Sequence, residues 1–387
     1  MMEINHWLLP DGVQDLLPDD TAKLEVIRRS FLNQLRLCGY EQLMPAWVEY
    51  TESLLGHASE DVKRQTFKII DQTNGRLMGV RADITQQIAR IDASADQRAV
   101  SRYCYADSVL HTLPTDVFGS RTPFQMGAEI YGHQGLSADI ELIDLMLGQL
   151  TKILPVRELH LNLGHVGIAE ALFDLAGLEQ ADRVWLLKCY ERKALPELKS
   201  RCESLPMGSD FELLGRSSAE LDVLMSGLSA KAQADQGLTR AIMDLQRLLN
   251  HLSRGYPDLG LSVDAAHVSS YHYHTGLVFS AYGPGASPIV RGGRYDSLSK
   301  HFGRSRFATG FSLDALKLLG FMKPRDKPIK IAAPVLDDAK LDTAIKDERD
   351  QGNIVVLQLG QVPTAGVTHF FKLTKGEWAI LPLTPES

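Results

Sequence analysis

Four polar residues stand in pairs whose types suit the recognition of a small charged molecule. Asp83 and Thr85 lie two apart in VRADIT, and Gln125 and Glu129 lie four apart in FQMGAEIYG. Carboxylates accept charge-assisted hydrogen bonds from an ammonium group, and Gln and Thr add neutral bonds. Residues four apart on a strand point to one face, so Gln125 and Glu129 act on the same side of a sheet. Together the four suit a zwitterion. Each also has a structural reading: Asp83 as the cap of a short helix, Glu129 as half of a surface ion pair.

Other constellations are weaker. His272 and His274 share a strand face but have no Cys or carboxylate partner at a ligand spacing, so no metal is expected. Arg121, Arg291 and Arg294 are candidates for an anion or nucleotide site, although RGGRYD equally suits a tight turn. There is no Walker-type phosphate loop and no internal repeat, and nothing calls for a cofactor. Cys38, Cys104, Cys189 and Cys202 are scattered, without a CxxC pair. That argues against zinc and against a disulfide framework, and fits a reducing cytoplasm. The composition, 44% hydrophobic and 23% charged, is that of a globular chain. No apolar run reaches the roughly 18 residues a membrane span needs, and the first residues do not read as a signal peptide. A net charge of −7 weighs against a partner as anionic as RNA.

The elements that must position these residues follow an α+β order. Leu24, Ile27, Phe31, Leu35 and Cys38 form the apolar face of a first helix, which Gly39 stops. YEQLMPAWVEY is extended, and Pro45 marks it as an edge or interface strand. QTFKIID and RLMGVR flank Asn74-Gly75 as a hairpin. RYCYADSVL and TPFQMGAEIYG read as strands, and Ser137 opens an amphipathic helix. ELHLNLG alternates like a strand. Residues 165–255 read as an inserted helical subdomain, after which strand character returns in LSVDAAHV and HTGLVFSAYG. RGGRYD is expected to be a turn and Ser312–Gly320 a helix. Residues 322–328 are a linker by composition. The remainder, 329–387, promises a small α/β unit of strand, helix and strand.

In this order the segments LPDGVQDLLP, VRADIT, FQMGAEIYG, YHTGLVF, RGGRYDSL and FATGFSL resemble histidyl-tRNA synthetase, over roughly residues 6–320. The resemblance implies a class II synthetase-like antiparallel sheet flanked by helices. It also implies that Asp83, Thr85, Gln125 and Glu129 hold an amino acid, with its ammonium expected on the Glu129 carboxylate. Tyr273 takes the place of the first tyrosine of the histidine-specific motif. There it would offer a hydroxyl and an aromatic wall to an imidazole, unless it is simply core. His272 and His274 replace the motif's Asp and second Tyr, and so line the pocket.

Much of the family's catalytic equipment is replaced. Its motif 2 arginine aligns with His111 and the neighbouring acid with Leu113. The transfer arginine aligns with Ser269, and the motif 3 arginine and its acidic neighbour align with Lys317 and Leu316. Arg121 is retained and joins the expected histidine pocket. Losing one donor aimed at developing phosphate charge costs on the order of 10²–10³ in rate. From Lys327 onward acids slightly outnumber bases, and the segment is too short for a whole anticodon-binding domain. An amino-acid pocket kept and catalytic machinery lost resembles the regulatory subunits of short-form ATP phosphoribosyltransferase. That implies no catalysis by this chain and a partner catalytic subunit that joins ATP to phosphoribosyl pyrophosphate. It implies free histidine as feedback effector and a homodimer, built through the Pro45 segment, within a hetero-oligomer. Two alternatives remain, a diverged amino-acid-adenylating enzyme and a tRNA-binding pseudo-synthetase.

Overall fold

The structure is a computed structural model. It describes residues 8–383 apart from 57, 59, 96–98, 115–118, 217–220, 267–273, 324–327 and 361–363. Ser269, His272 and Tyr273 therefore lie outside the described residues. The chain forms two compact units, Met1–Met322 and Lys323–Ser387.

Helix α1 (Pro18–Leu37) buries Leu24, Ile27, Phe31 and Leu35 at helical spacing. Gly39, at φ +83°, turns the chain just past its end, where Cys38 is exposed. The proline-bearing segment becomes two short strands in different sheets, β1 (Glu41–Gln42) and β2 (Val48–Tyr50). After α2 (Thr51–Leu55) and α3 (Glu60–Gln65), β3 (Lys68–Ile70) and β4 (Leu77–Val80) form the expected hairpin. With β2 they make a three-stranded sheet, ordered β2-β4-β3. Helix α4 (Thr85–Ser94) follows, then β5 (Ser101–Ser108), β6 (Phe124–Tyr131) and α5 (Leu136–Leu150).

β7 (His160–His165) leads into seven helices, among the described residues: α6 (Val166–Ala176), α7 (Gln180–Glu191), α8 (Leu195–Cys202), α9 (Gly208–Gly215), α10 (Leu221–Gly227), α11 (Ala230–Gln233) and α12 (Gln236–Gly255). The chain then returns as β8 (Gly260–Val263), β9 (Leu277–Tyr282), β10 (Val290–Arg294) and β11 (Ala308–Asp314). The main sheet runs β1-β5-β6-β11-β10-β9-β7-β8. Its interior pairs are antiparallel, while the edge pairs β1–β5 and β7–β8 are parallel. One face packs through Ala128, Ile130, Phe311 and Leu313 into the core that also holds α1 and α5. The other face carries a smaller cluster of Ile84, Ile88, Tyr103, Tyr105, Tyr131 and Tyr295.

Two expectations are corrected. Residues 290–294 form β10, in the interior of the sheet, not a turn. Its glycines answer a packing need, since a Cβ on Gly292 would meet the Phe279 ring at 2.4 Å. Ser312–Gly320 is not one helix: β11 runs on to Asp314 and a 3₁₀ turn, Ala315–Phe321, follows.

In the second unit, β12 (Lys330–Ala333), α13 (Ala339–Asp350), β13 (Ile354–Leu357), β14 (His369–Thr374) and β15 (Glu377–Pro382) form a sheet ordered β13-β12-β14-β15. The last two strands were not anticipated. Leu341 and Ile345 of α13 pack on Ile331, Val355 and Phe371.

Candidate functional site

β6 brings Gln125, Gly127 and Glu129 onto the face shared with α4. Alternation in β5 places Tyr103 and Tyr105 on that same face, with Tyr103 directly opposite Glu129 and Tyr105 opposite Gly127. On the other flank Glu129 faces Gly310 of β11, which in turn faces Gly293 of β10. These glycines form a floor. A Cβ on Gly310 would lie 1.5 Å from a Glu129 carboxylate oxygen, and one on Gly293 would lie 2.6 Å from the His274 ring. The Glu129 carboxylate and the His274 imidazole thus lie over neighbouring positions of one trench.

Four of the expected residues form a single network. The Gln125 amide donates to Asp83 Oδ1 at 2.7 Å and accepts from the Ile84 backbone N–H at 3.0 Å. Asp83 Oδ1 also accepts from the Thr85 N–H at 3.2 Å, so it does steady the start of α4. The Thr85 hydroxyl lies 3.2 Å from the Tyr105 hydroxyl, which donates to Glu129 Oε1 at 3.1 Å. The Tyr295 hydroxyl donates to Glu129 Oε2 and lies 3.4 Å from the Tyr131 hydroxyl.

Glu129 is 1% exposed. Burial pushes its pKa up to about 8; hydrogen bonds from Tyr295, Tyr105 and Thr85 oppose the rise and the like charge of Asp83 adds to it. Burial, reinforced by Glu129, likewise holds the Tyr131 phenol far above its ordinary range. Asp83 is only part-buried and lines a cavity of about 240 Å³ with Gln125, His111, Arg291, Asp314 and Lys317. Asp83 and Gln125 thus border an open cavity, while Glu129, linked to them through the Thr85 and Tyr105 hydrogen bonds, is buried behind its lining.

The expected basic residues are engaged elsewhere. Arg121 donates to the carbonyls of His111 and Asp11, each at 3.1 Å, and stacks on Phe67. It clasps the N-terminal segment and is not bonded to the Asp83–Glu129 network. Arg294 pairs with Asp139 at 2.5 Å and donates to the carbonyls of His133 and Gly135, on the far face of the sheet. That makes it the anchor of the loop entering α5, not an anion receptor. Lys317 donates to the Pro288 carbonyl at 3.1 Å, and His111 Nε2 lies 2.9 Å from the Ala82 carbonyl. Sequence reasoning missed Tyr105, Tyr131, Tyr295 and Gly310. Alternation in RYCYADS was the available signal for Tyr105; the others depend on strand pairing that is not local in sequence.

Comparison with known proteins agrees with this frame. Residues 12–318 match the family model described as Histidyl-tRNA synthetase, which defines the class as a synthetase-like α+β protein. The chain is 43% identical over 382 residues to an ATP phosphoribosyltransferase regulatory subunit of Acinetobacter baylyi, covering 97% of this chain and 98% of that one. It is 44% identical to the protein of the same name from Psychrobacter arcticus, covering 96% and 99%. A solved structure described as an ATP phosphoribosyltransferase regulatory subunit/histidyl-tRNA synthetase from Bacillus halodurans superposes with a TM-score of 0.80. It is 26% identical and covers 93% of this chain and 95% of that one. The chain belongs to the family of ATP phosphoribosyltransferase regulatory subunits.

Proposed function

We propose that this chain is the regulatory partner of a separate ATP phosphoribosyltransferase catalytic subunit, at the entry to histidine biosynthesis, and that it catalyses nothing alone. The match to relatives of that name along nearly the whole of both chains carries this reading. The site supports the second half. Lys317, the retained Arg121 and the nearby Arg294 are bonded to protein carbonyls or a carboxylate, and His111 stands where the family's synthetases carry an arginine.

Free histidine is the effector that fits the Asp83–Glu129 network. Asp83 and Gln125, at the mouth, receive the ammonium. The ring, the least hydrated part of the ligand, goes inward to Glu129 over the glycine floor. His274 borders the ring, and Tyr273, outside the described residues, keeps the part that the family resemblance gives it. An ammonium at Glu129 instead would have to shed its water among tyrosines, at greater cost. The second unit stands as a reduced counterpart of the family's anticodon-binding domain. The chain pairs with a second copy through the segment around Pro45. There Met44 is 69% and Trp47 50% exposed, beside exposed Val48, Ile69, Ile70 and Leu77 of the three-stranded sheet.

The test is co-purification with a short catalytic subunit, followed by assay of the phosphoribosyl transfer with and without histidine. Activity that depends on this chain and falls with histidine is the expected result. A catalytic subunit indifferent to the chain would overturn the proposal. Histidine-dependent ATP–pyrophosphate exchange by the chain alone would replace it with the enzyme reading.

A further inference from the structure

Glu129 poses a problem of charge. Its carboxyl is almost wholly buried, and the described groups bonded to it are hydroxyls, those of Tyr105, Tyr295 and Thr85. Every described element packed against it offers neutral or like-charged company. β5 supplies Tyr103 and Tyr105, β6 Tyr131, the turn after β10 Tyr295, α4 Thr85 and the loop before α4 Asp83. β11 presents Gly310, with no side chain at all. The charge acting most strongly on it is that of Asp83, of the same sign. A bare buried carboxylate without a cation is expensive, and such a group neutralises itself when it can.

Resting on the reading of the site as a histidine pocket, we propose that Glu129 is a neutral carboxylic acid in the empty site and gives its proton to the ring of the incoming ligand. The Glu129 O–H bond breaks and an N–H bond forms on the imidazole. A neutral acid and a neutral ring become a carboxylate and an imidazolium, with no proton gained or lost overall. The buried charge then appears only together with its counter-charge. The site thereby selects a basic heteroaromatic side chain over a ring of equal shape that cannot hold a proton. The rise in the carboxyl's pKa through burial agrees with this, and so does Gly310, whose missing side chain lets the carboxyl lie flat against the sheet next to the His274 ring over Gly293.

The experiment follows ring-labelled [15N]histidine bound to the full chain, alone and with its catalytic subunit. At about pH 8.5 free histidine has a neutral ring, its ordinary pKa being about 6.5. The bound ring is expected to show the nitrogen shifts of an imidazolium at that pH. Calorimetry in buffers of differing ionisation heat should find close to no net proton exchange near pH 7. The uptake at about pH 8.5 should exceed that of Glu129→Gln by roughly half a proton or more. 1,2,4-Triazolylalanine, similar in shape but far less basic, should bind at least about tenfold more weakly than histidine, and Glu129→Gln should narrow that gap. A bound ring that is neutral at about pH 8.5, or uptake of nearly a full proton at pH 7, would overturn the inference while leaving the pocket in place. If Glu129→Gln fails to bind, the wild-type nitrogen shifts alone decide. A folded wild-type chain that binds no histidine in either form would instead overturn the effector reading and this inference with it.

Discussion

At the scale of single residues, Glu129 should set the affinity of the site. Removing its carboxyl in Glu129→Ala deletes a charge-assisted bond worth roughly 1.5–3 kcal/mol, which is about a 10- to 100-fold loss of histidine affinity. Gln125→Ala should act in the same direction but more weakly, because its bonds carry less charge. Histidine titrations of the assembled enzyme check both, with assembly followed by gel filtration. An unchanged inhibition curve in an intact complex would place the effector elsewhere. The same carboxyl makes a second prediction. Its folded pKa of about 8 lies above the ordinary value of 4.5, so between those values the native state keeps a proton that the unfolded chain has released. Stability without ligand must then fall as pH rises through that window. Glu129→Gln removes this dependence, so its urea midpoint should drop less than that of the wild type from about pH 5 to pH 8. Residue type alone marked Asp83, Gln125 and Glu129 as candidates, and the structure joins them in one network. The tyrosines around them were not legible in this way, because Tyr295 reaches Glu129 only through strand pairings far apart in the chain.

At the scale of elements, the helices with a clear apolar period were readable, and α1 is the plainest case. The misread segments are those whose glycines serve packing instead of turning. In β10 the absent side chains make room for Phe279 and His274, and in β11 Gly310 makes room for Glu129. A glycine seen without its neighbours cannot tell these uses apart. Gly310→Ala tests the floor directly. The added methyl must displace the Glu129 carboxylate or shift β11, and overpacking of that kind costs about 1–3 kcal/mol. We expect a lower urea midpoint together with a loss of histidine binding at least as large as that of Glu129→Ala. Arg294 tests the far side of the same sheet. Arg294→Met strands Asp139, whose carboxyl is raised by burial and held down chiefly by that arginine. The expected loss of stability is about 3–5 kcal/mol, with no new ligand behaviour.

At the scale of the whole molecule, the proposed dimer rests on the exposed apolar surface around Met44 and Trp47. Arg81 sits wholly buried beneath it, donates to the Pro45 carbonyl at 2.9 Å and lies 4.6 Å below the Trp47 ring, so the patch is held on a rigid base. Trp47→Glu should shift the chain from dimer to monomer in sedimentation at micromolar concentration. A wild-type chain that is already a stable monomer there would count decisively against the dimer. Both the Pro45 segment and the helical stretch before β8 could be read from composition and period. The mixed pairing at the sheet edges could not, because parallel partners such as β7 and β8 are brought together only across seven intervening helices. The pairing of Glu129 with Gly310 has a consequence for synthesis. A ribosome finishes β5 and β6 long before β11 exists, so a nascent chain carries the glutamate without the strand that floors it. Ligand binding stabilises only states that already have the site. If the pocket holds histidine as proposed, free histidine cannot act as a folding template until β11 has formed. It would lock the sheet only once the chain extends past β11, and a fragment ending before Ala308 should refold no better in its presence.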